Sequence, residues 1–165
     1  MNLQEQQLVA DLIRGRHWAA LATQGPEGPE ASWVAYVPQA DFSGFLLHLS
    51  TLATHTRNLL ANSRAGLAIS EPERDGEDPQ TLARVMIQGR VAILPKEGAD
   101  YREMARHYQE TLPASTPRFK FDDFLLLRQT ASDSHAADIA FWAEAQRDPD
   151  HALAVAALRT SLDDE

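Results

Sequence analysis

Short apolar runs divided by turn residues are the feature that most limits what this chain can fold into. Runs at residues 18–23, 31–37 and 45–49 are separated by two segments rich in glycine, proline and aspartate, at residues 24–29 and 41–44. Strands this short and this closely spaced favour antiparallel pairing, because a parallel pair needs a crossover of about a dozen residues or more. The first third of the chain therefore predicts an antiparallel meander.

Further strands and helices follow in the rest of the chain. Three more strands are predicted, at residues 65–70, 82–94 and 124–130. Four helices are predicted, at residues 1–16, 52–62, 100–110 and 148–165. Gly89 inside the fifth strand indicates a bulge or a close backbone approach. Six strands and few long helices indicate an α+β, mainly β, fold in one domain spanning residues 1–165, in which a six-stranded antiparallel barrel carries peripheral helices.

Composition and charge exclude several classes of function. The net charge of −9 argues against a nucleic-acid partner, because non-specific affinity for phosphate backbones comes mostly from Lys and Arg. No apolar run approaches the ~18 residues of a membrane span, and the N-terminus lacks the pattern of a secretory signal, so we expect a cytoplasmic protein. The chain has no cysteine, and its six histidines lack paired metal-ligand spacing, so no metal site is expected.

The stretch at residues 46–60 is the most informative for chemistry. An apolar strand runs into Ser50 and Thr51 and then opens a helix that carries His55, Thr56 and Arg57. Hydroxyl, imidazole and guanidinium donors beside a helix N-terminus are a suitable cradle for a phosphate dianion. In the alternative interpretation Ser50 and Thr51 cap the helix, while His55 and Arg57 lie in solvent. From spacing alone, the capping interpretation is favoured.

The strand at residues 82–94 offers a second candidate surface. Strand alternation places Arg84, Met86, Gln88 and Arg90 on one face. A cation, a polarisable thioether and an amide on one face suit a flat heteroaromatic ring. The alternative is the solvent face of an ordinary amphipathic strand.

Taken together, these stretches resemble the pyridoxamine 5′-phosphate oxidase-like family of flavin-binding split barrels, in the branch that includes the haem-utilisation proteins. The resemblance runs in unbroken order through residues 30–36, 49–59, 64–69 and 83–91, and a weaker match extends through residues 121–127. It implies a Greek-key split barrel that forms a homodimer and holds flavin mononucleotide (FMN) in a groove between the subunits.

The resemblance also assigns roles to residues. Ser32 and Val34 would line the flavin, Leu49 and Ser50 would offer backbone or hydroxyl contacts, and His55 with Thr56 would hold the phosphate. Arg84, with Gln88 on the same strand face, would reach the isoalloxazine edge. None of these side chains is an obvious acid or base, so no catalytic residue is assigned, since the flavin carries the redox chemistry.

The function implied is an FMN-binding flavoprotein, an oxidoreductase acting on a small molecule that the sequence does not identify. Two alternatives stay open. One is a haem-binding or haem-degrading protein of the same fold, with His135 or His48 as an iron ligand. The other is a non-catalytic dimeric module that has lost the flavin, because residues 134–142 contain no glycine where the related branch carries a Gly-Phe-Gly type of stretch.

Overall fold

The computed structural model of the protein describes residues 3–131. Its helices are α1 (Leu3–Gly15), α2 (Thr54–Ala61) and α3 (Tyr101–Thr111). Its strands are β1 (Trp18–Gly25), β2 (Gly28–Pro38), β3 (Phe45–Ser50), β4 (Arg64–Ser70), β5 (Arg84–Ile93) and β6 (Phe124–Ala131). All six predicted strands are present, with bounds within three residues of those expected. The predicted helix at residues 148–165 and the glycine-free stretch at residues 134–142 lie outside the described residues.

The strands form a closed antiparallel barrel, as predicted. Their order around the barrel is β1-β2-β3-β6-β5-β4, and pairing of β1 with β4 closes the ring. The last strand, β6, lies between β3 and β5, so it pairs with a strand distant in sequence as well as with the strand that precedes it. Closure pairs both edges of every strand, which removes the exposed edges that promote aggregation.

Two glycine positions illustrate how the sequence shapes the barrel wall. The β1–β2 hairpin turns through Pro26 and Glu27, and Gly28 on its far side has φ of +147°, which side-chain-bearing residues rarely adopt. The bulge expected at Gly89 is absent. Gly89 pairs in regular register with Ala65 of β4 on one side and with Ala131 of β6 on the other. Gly89 thus holds a regular, buried position in the wall.

Helices α1 and α2 pack near opposite ends of the β1–β2 ladder. The Tyr36 hydroxyl donates to the Ile13 carbonyl at 2.8 Å, which fixes the end of α1 to β2. At the other end, the Asn58 amide of α2 donates to the Thr23 hydroxyl of β1 at 3.2 Å. Between them, the barrel interior is filled by alternating apolar side chains from all six strands.

A second apolar cluster lies outside the barrel, between the outer faces of β3 and β6 and helix α3. Its buried members are Val37, Leu46, Leu94, Ala105, Tyr108 and Leu126. A 3-10 segment, Pro113–Lys120, follows α3 and brings Phe119 against this cluster. Within the part of the chain that the structure describes, no helix is both long enough and apolar enough to cross a bilayer.

Candidate functional site

The N-terminus of α2 is the first part of the candidate site. Strand β3 ends at Ser50, and α2 begins at Thr54 after Ala53, whose side chain provides no cap. The first backbone N–H groups of an α-helix have no acceptor inside the helix, and the helix dipole adds positive potential there. This end of α2 therefore has donors available for an anion, although a short helix alone does not define a site.

A buried hydroxyl strengthens this part of the site. Thr56, in the first turn of α2, is fully buried, and its Oγ1 has no hydrogen-bond partner within residues 3–131. Leaving a buried hydroxyl unpaired costs about 1–3 kcal/mol. Ser32 repeats the pattern on β2, one of the strands against which α2 packs, because its Oγ is also buried and lacks a partner in the described chain. Both residues are among the flavin contacts that the family resemblance implies.

Ser50 does not cap α2, because neither of its side-chain hydrogen bonds is to a residue of that helix. Its hydroxyl donates to Asp123 Oδ2 at 2.6 Å and accepts the backbone N–H of Leu52 at 3.1 Å. The backbone N–H of Thr51 also donates to the Asp123 carbonyl, at 2.7 Å. Ser50 therefore fixes the turn before α2 to the start of β6, and it brings a carboxylate to the approach of the helix.

His55 and Arg57 contribute unequally to the charge at this helix end. Burial lowers the pKa of His55 below its usual 6.5, which favours the neutral imidazole in the absence of an anion. Arg57 is exposed but folds back on its own turn, where it donates to the Leu52 carbonyl at 2.6 Å and to Thr54 Oγ1 at 3.1 Å. The guanidinium thus braces the start of α2 and keeps one full positive charge beside it.

Val34 and Leu49 lie in the barrel core. Both side chains are buried among the interior residues of the barrel. Because these side chains are apolar, only the backbone groups of the two residues can offer hydrogen bonds to a ligand, as the sequence expectation for Leu49 allowed.

The outer face of β5 is the second part of the candidate site. Val85, Ile87 and Val91 are buried, whereas Met86 and Gln88 are exposed, so the predicted alternation holds. Arg84 is partly buried at the start of this face, and its guanidinium donates to the Gln80 carbonyl at 3.2 Å. The groove that Gln88 lines reaches Asn62 at the C-terminal end of α2 but no residue of its first turn, so the two predicted parts of the site lie apart on this chain.

An exposed apolar surface adjoins Arg84. Along the ladder, Trp33 of β2 pairs with Ala20, Ala20 with Ala68, and Ala68 with Met86 of β5. Trp18 and Trp33 stack with ring centroids 6.1 Å apart and planes 8° from parallel, yet they are 54% and 61% exposed. We call these outward-facing residues of β1, β2, β4 and β5 the apolar face. Large exposed apolar patches of this kind mark interaction surfaces.

Comparison with known families identifies the family to which this barrel belongs. The family model described as pyridoxamine 5′-phosphate oxidase matches residues 6–156. The chain belongs to this family. No curated protein sequence matches the chain.

Solved structures show which proteins share this family's fold. HutZ, the haem storage protein of Vibrio cholerae, is 20% identical, with a TM-score of 0.69 over 79% of this chain and 91% of its own. A haem-binding protein from Mycobacterium smegmatis is 28% identical, with a TM-score of 0.62 over 73% of this chain and 50% of its own. An FAD-binding protein from Mesorhizobium loti is 15% identical, with a TM-score of 0.61 over 76% of this chain and 87% of its own.

His48 is poorly placed to bind haem iron. The residue is only 7% exposed, and its ring stacks on Phe119 with centroids 3.8 Å apart. Burial, with the positive charges of Arg118 and Lys96, lowers the pKa of His48 to about 4. His135, the other residue considered as a ligand, lies outside the described residues. Over residues 3–131, no group of three histidine or carboxylate side chains is placed to hold a metal ion.

Asp123 and the stacked tryptophans were missed by sequence reasoning. Asp123 is 73 residues from Ser50, and it reaches that residue only because β6 pairs with β3. The stacking of Trp18 on Trp33 depends on the pairing of β1 with β2, which no single run of sequence shows. A cross-strand pairing argument places Trp18 opposite Ala35, and Trp33 opposite Ala20, on one face of the hairpin.

Proposed function

We propose that this protein is an FMN-binding, homodimeric flavoprotein of the pyridoxamine 5′-phosphate oxidase family, with oxidoreductase activity on a small molecule in the cytoplasm. The observation that carries the proposal is the pair of buried, unpartnered hydroxyls of Ser32 and Thr56. Both occupy positions that the family resemblance assigns to the flavin. A polar ligand that accepts from these hydroxyls offsets the cost of leaving them unpaired.

The phosphate of the flavin is assigned to the start of α2. Thr56 Oγ1 and the first backbone N–H groups of the helix are its donors, and the exposed guanidinium of Arg57 lies beside the helix start. A phosphate beside His55 favours the imidazolium and so opposes the effect of burial on that pKa. When bound, the flavin supplies the transfer of hydride or electrons, and the chain supplies binding and orientation.

A second copy of this chain is the proposed occupant of the apolar face. Arg84 and Gln88 lie on the same outer surface as Met86 and Trp33, so association through this face carries the β5 side chains toward another subunit. This accounts for the distance, within one chain, between the groove lined by Gln88 and the start of α2. The small side chains of Ala20 and Ala68 between the tryptophans and Met86 allow two such faces to approach closely.

An absorbance spectrum of the purified full-length protein tests the proposal directly. We expect a yellow protein with the two absorbance bands of bound flavin, or one that acquires them when FMN is added to the apoprotein. A protein that stays colourless and does not change the fluorescence of added FMN would sink the proposal.

The same preparation tests haem binding, the activity named for two of the structural neighbours. Added haemin that produces a Soret band, lost in His135→Ala, would favour haem over flavin. Because His48 is buried against Phe119, the His48→Leu variant is expected to leave any such band unchanged.

A further inference from the structure

Two arginines face one another across β4 and β5 without a carboxylate between them. Arg64 pairs directly with Arg90 in the antiparallel ladder, and both are exposed. Like charges at directly opposed positions are unfavourable. Arg90 Nη1 donates to Ser63 Oγ at 3.3 Å, and neither guanidinium forms an ion pair within the described chain. In a protein of net charge −9, this unpaired double cation is a local exception.

The arginine pair lines a groove of about 830 Å³ on the outside of the barrel. Carboxamide groups of Gln24, Asn62 and Gln88 line the same groove, and no aspartate or glutamate is among its lining residues. Gln88 is exposed, so its amide is accessible to a ligand. The groove therefore combines two positive charges with neutral donors and acceptors.

The floor of the groove is made of small residues. Gly66 of β4 lies opposite Ala22 of β1 and opposite Gln88 of β5. A Cβ added at Gly66 would lie 3.7 Å from the Ala22 Cβ, which is an ordinary van der Waals contact. The barrel would therefore tolerate a side chain at Gly66, and the glycine leaves that space open in the groove. The groove is large enough for a small organic molecule, because an inorganic anion would fill only a small part of its volume.

We propose that this groove binds a small organic phosphate, whose phosphate dianion is held by Arg64 and Arg90 and whose organic part lies over the Ala22–Gly66 floor. Two guanidinium forks on adjacent strands suit a tetrahedral dianion, since each can donate in pairs to phosphate oxygens. The site is separate from the proposed flavin phosphate site at the start of α2, because the groove reaches only Asn62, which follows the opposite end of that helix.

Titration calorimetry of the full-length protein with phenyl phosphate tests this site. At constant ionic strength, we expect saturable binding of one ligand per chain at pH 7.5. Binding should weaken at pH 5.5, where the phosphate monoester loses its second charge, whose pKa is about 6. Phenyl sulfate, a monoanion of similar shape, should bind more weakly, and inorganic phosphate should bind more weakly than the ester. Equal affinity for all three ligands would contradict the proposal.

Substitutions locate the binding. Arg64→Gln and Arg90→Gln should each weaken phenyl phosphate binding by about tenfold or more, because each removes a charge-assisted pair of hydrogen bonds. Arg102→Gln, at an exposed arginine of α3, is the matched control and should bind as the wild type does. If either groove variant loses its fold, Arg64→Lys and Arg90→Lys keep the charge but lose the fork, and they should also weaken binding. Unchanged affinity in the groove variants would overturn the proposal.

The flavin site and the groove are separated by a crossed comparison. Thr56→Val should weaken FMN binding without affecting phenyl phosphate, whereas Arg64→Gln should weaken phenyl phosphate without affecting FMN. If Arg64→Gln and Arg90→Gln also lose FMN, the groove belongs to the flavin's own phosphate, and the separate site is refuted. If the protein binds phenyl phosphate but never FMN, the groove stands and the proposed function fails.

Discussion

The hydroxyl of Ser50 donates a 2.6 Å hydrogen bond to the carboxylate of Asp123, which joins the end of β3 to the start of β6. The backbone reinforces this link, since the Thr51 N–H donates to the Asp123 carbonyl at 2.7 Å. The turn that leads into α2 is therefore held from a distant part of the chain. The same link places a negative charge on the approach to the proposed phosphate site.

Asp123→Asn is expected to raise the affinity for FMN about two- to fivefold. The asparagine can still accept from Ser50, but it removes a carboxylate that repels the flavin phosphate across partly solvated space. Fluorescence titration at low and high salt measures the effect, which should shrink as salt screens the charge. Asp122→Asn is the control, because Asp122 is fully exposed and its ion pair with Lys96 is long, at 3.8 Å. Equal gains in both variants would argue against a specific role for Asp123.

Thr56→Val is expected to stabilise the apoprotein and weaken flavin binding. Valine has nearly the shape of threonine, so the change removes a buried, unpaired hydroxyl and should raise the free energy of unfolding by about 1 kcal/mol. Loss of a donor to the phosphate should weaken FMN binding about tenfold. Urea denaturation and FMN titration measure the two effects. Thr54→Val is the control, since its hydroxyl is exposed and accepts from Arg57, and it should produce neither effect.

Trp33→Glu is expected to convert a dimer to a monomer. A carboxylate placed on the apolar face would have to lose its hydration on association. Size-exclusion chromatography with light scattering gives the mass directly. Leu8→Glu, at an exposed leucine of α1, is the control and should leave the mass unchanged. A wild-type monomer, or a dimer that survives Trp33→Glu, would place the interface elsewhere or exclude it.

Stability is expected to fall below pH 6.5 because of His48. The unfolded histidine takes up its proton near pH 6.5, whereas the folded one does so only near pH 4. Between pH 6.5 and pH 4 the unfolded state therefore binds more protons than the folded state. Acidification lowers the free energy of unfolding, by about 2–3 kcal/mol at pH 4. Urea midpoints measured from pH 7.5 to 4 should show the loss.

His48→Leu should flatten most of this pH dependence, because the leucine keeps an apolar contact with Phe119 and cannot be protonated. The lowered pKa of His55 acts in the same direction and should leave a smaller residual slope. An unchanged slope in His48→Leu would assign the acid sensitivity to other groups.

Much of the barrel could be predicted because its signals are local. Alternation in β5 and the glycine–proline turns between β1 and β2 are read from neighbouring residues alone. The prediction of a bulge at Gly89 was wrong, because Gly89 pairs in regular register with Ala65 and Ala131 on the two adjacent strands. The 3-10 segment Pro113–Lys120 was missed, since so short a helix has no apolar periodicity to detect.

The site was less accessible to sequence reasoning than the fold. Ser32 and Thr56 were singled out by family resemblance, but only packing shows that their hydroxyls are buried without a partner. The environment of His48 depends on Phe119, which lies far along the chain on a segment with no sequence signal. Contacts of this kind are set by tertiary structure, and spacing along the chain does not report them.

The position of β6 between β3 and β5 has a consequence for synthesis on the ribosome. While the chain is growing, β1 to β5 can assemble into a curved sheet, but β3 and β5 each keep an unsatisfied hydrogen-bonding edge. Only when residues 124–131 leave the exit tunnel can the ring be completed. Nascent chains stalled before this point should therefore recruit chaperones or aggregate, and those stalled well beyond it should not.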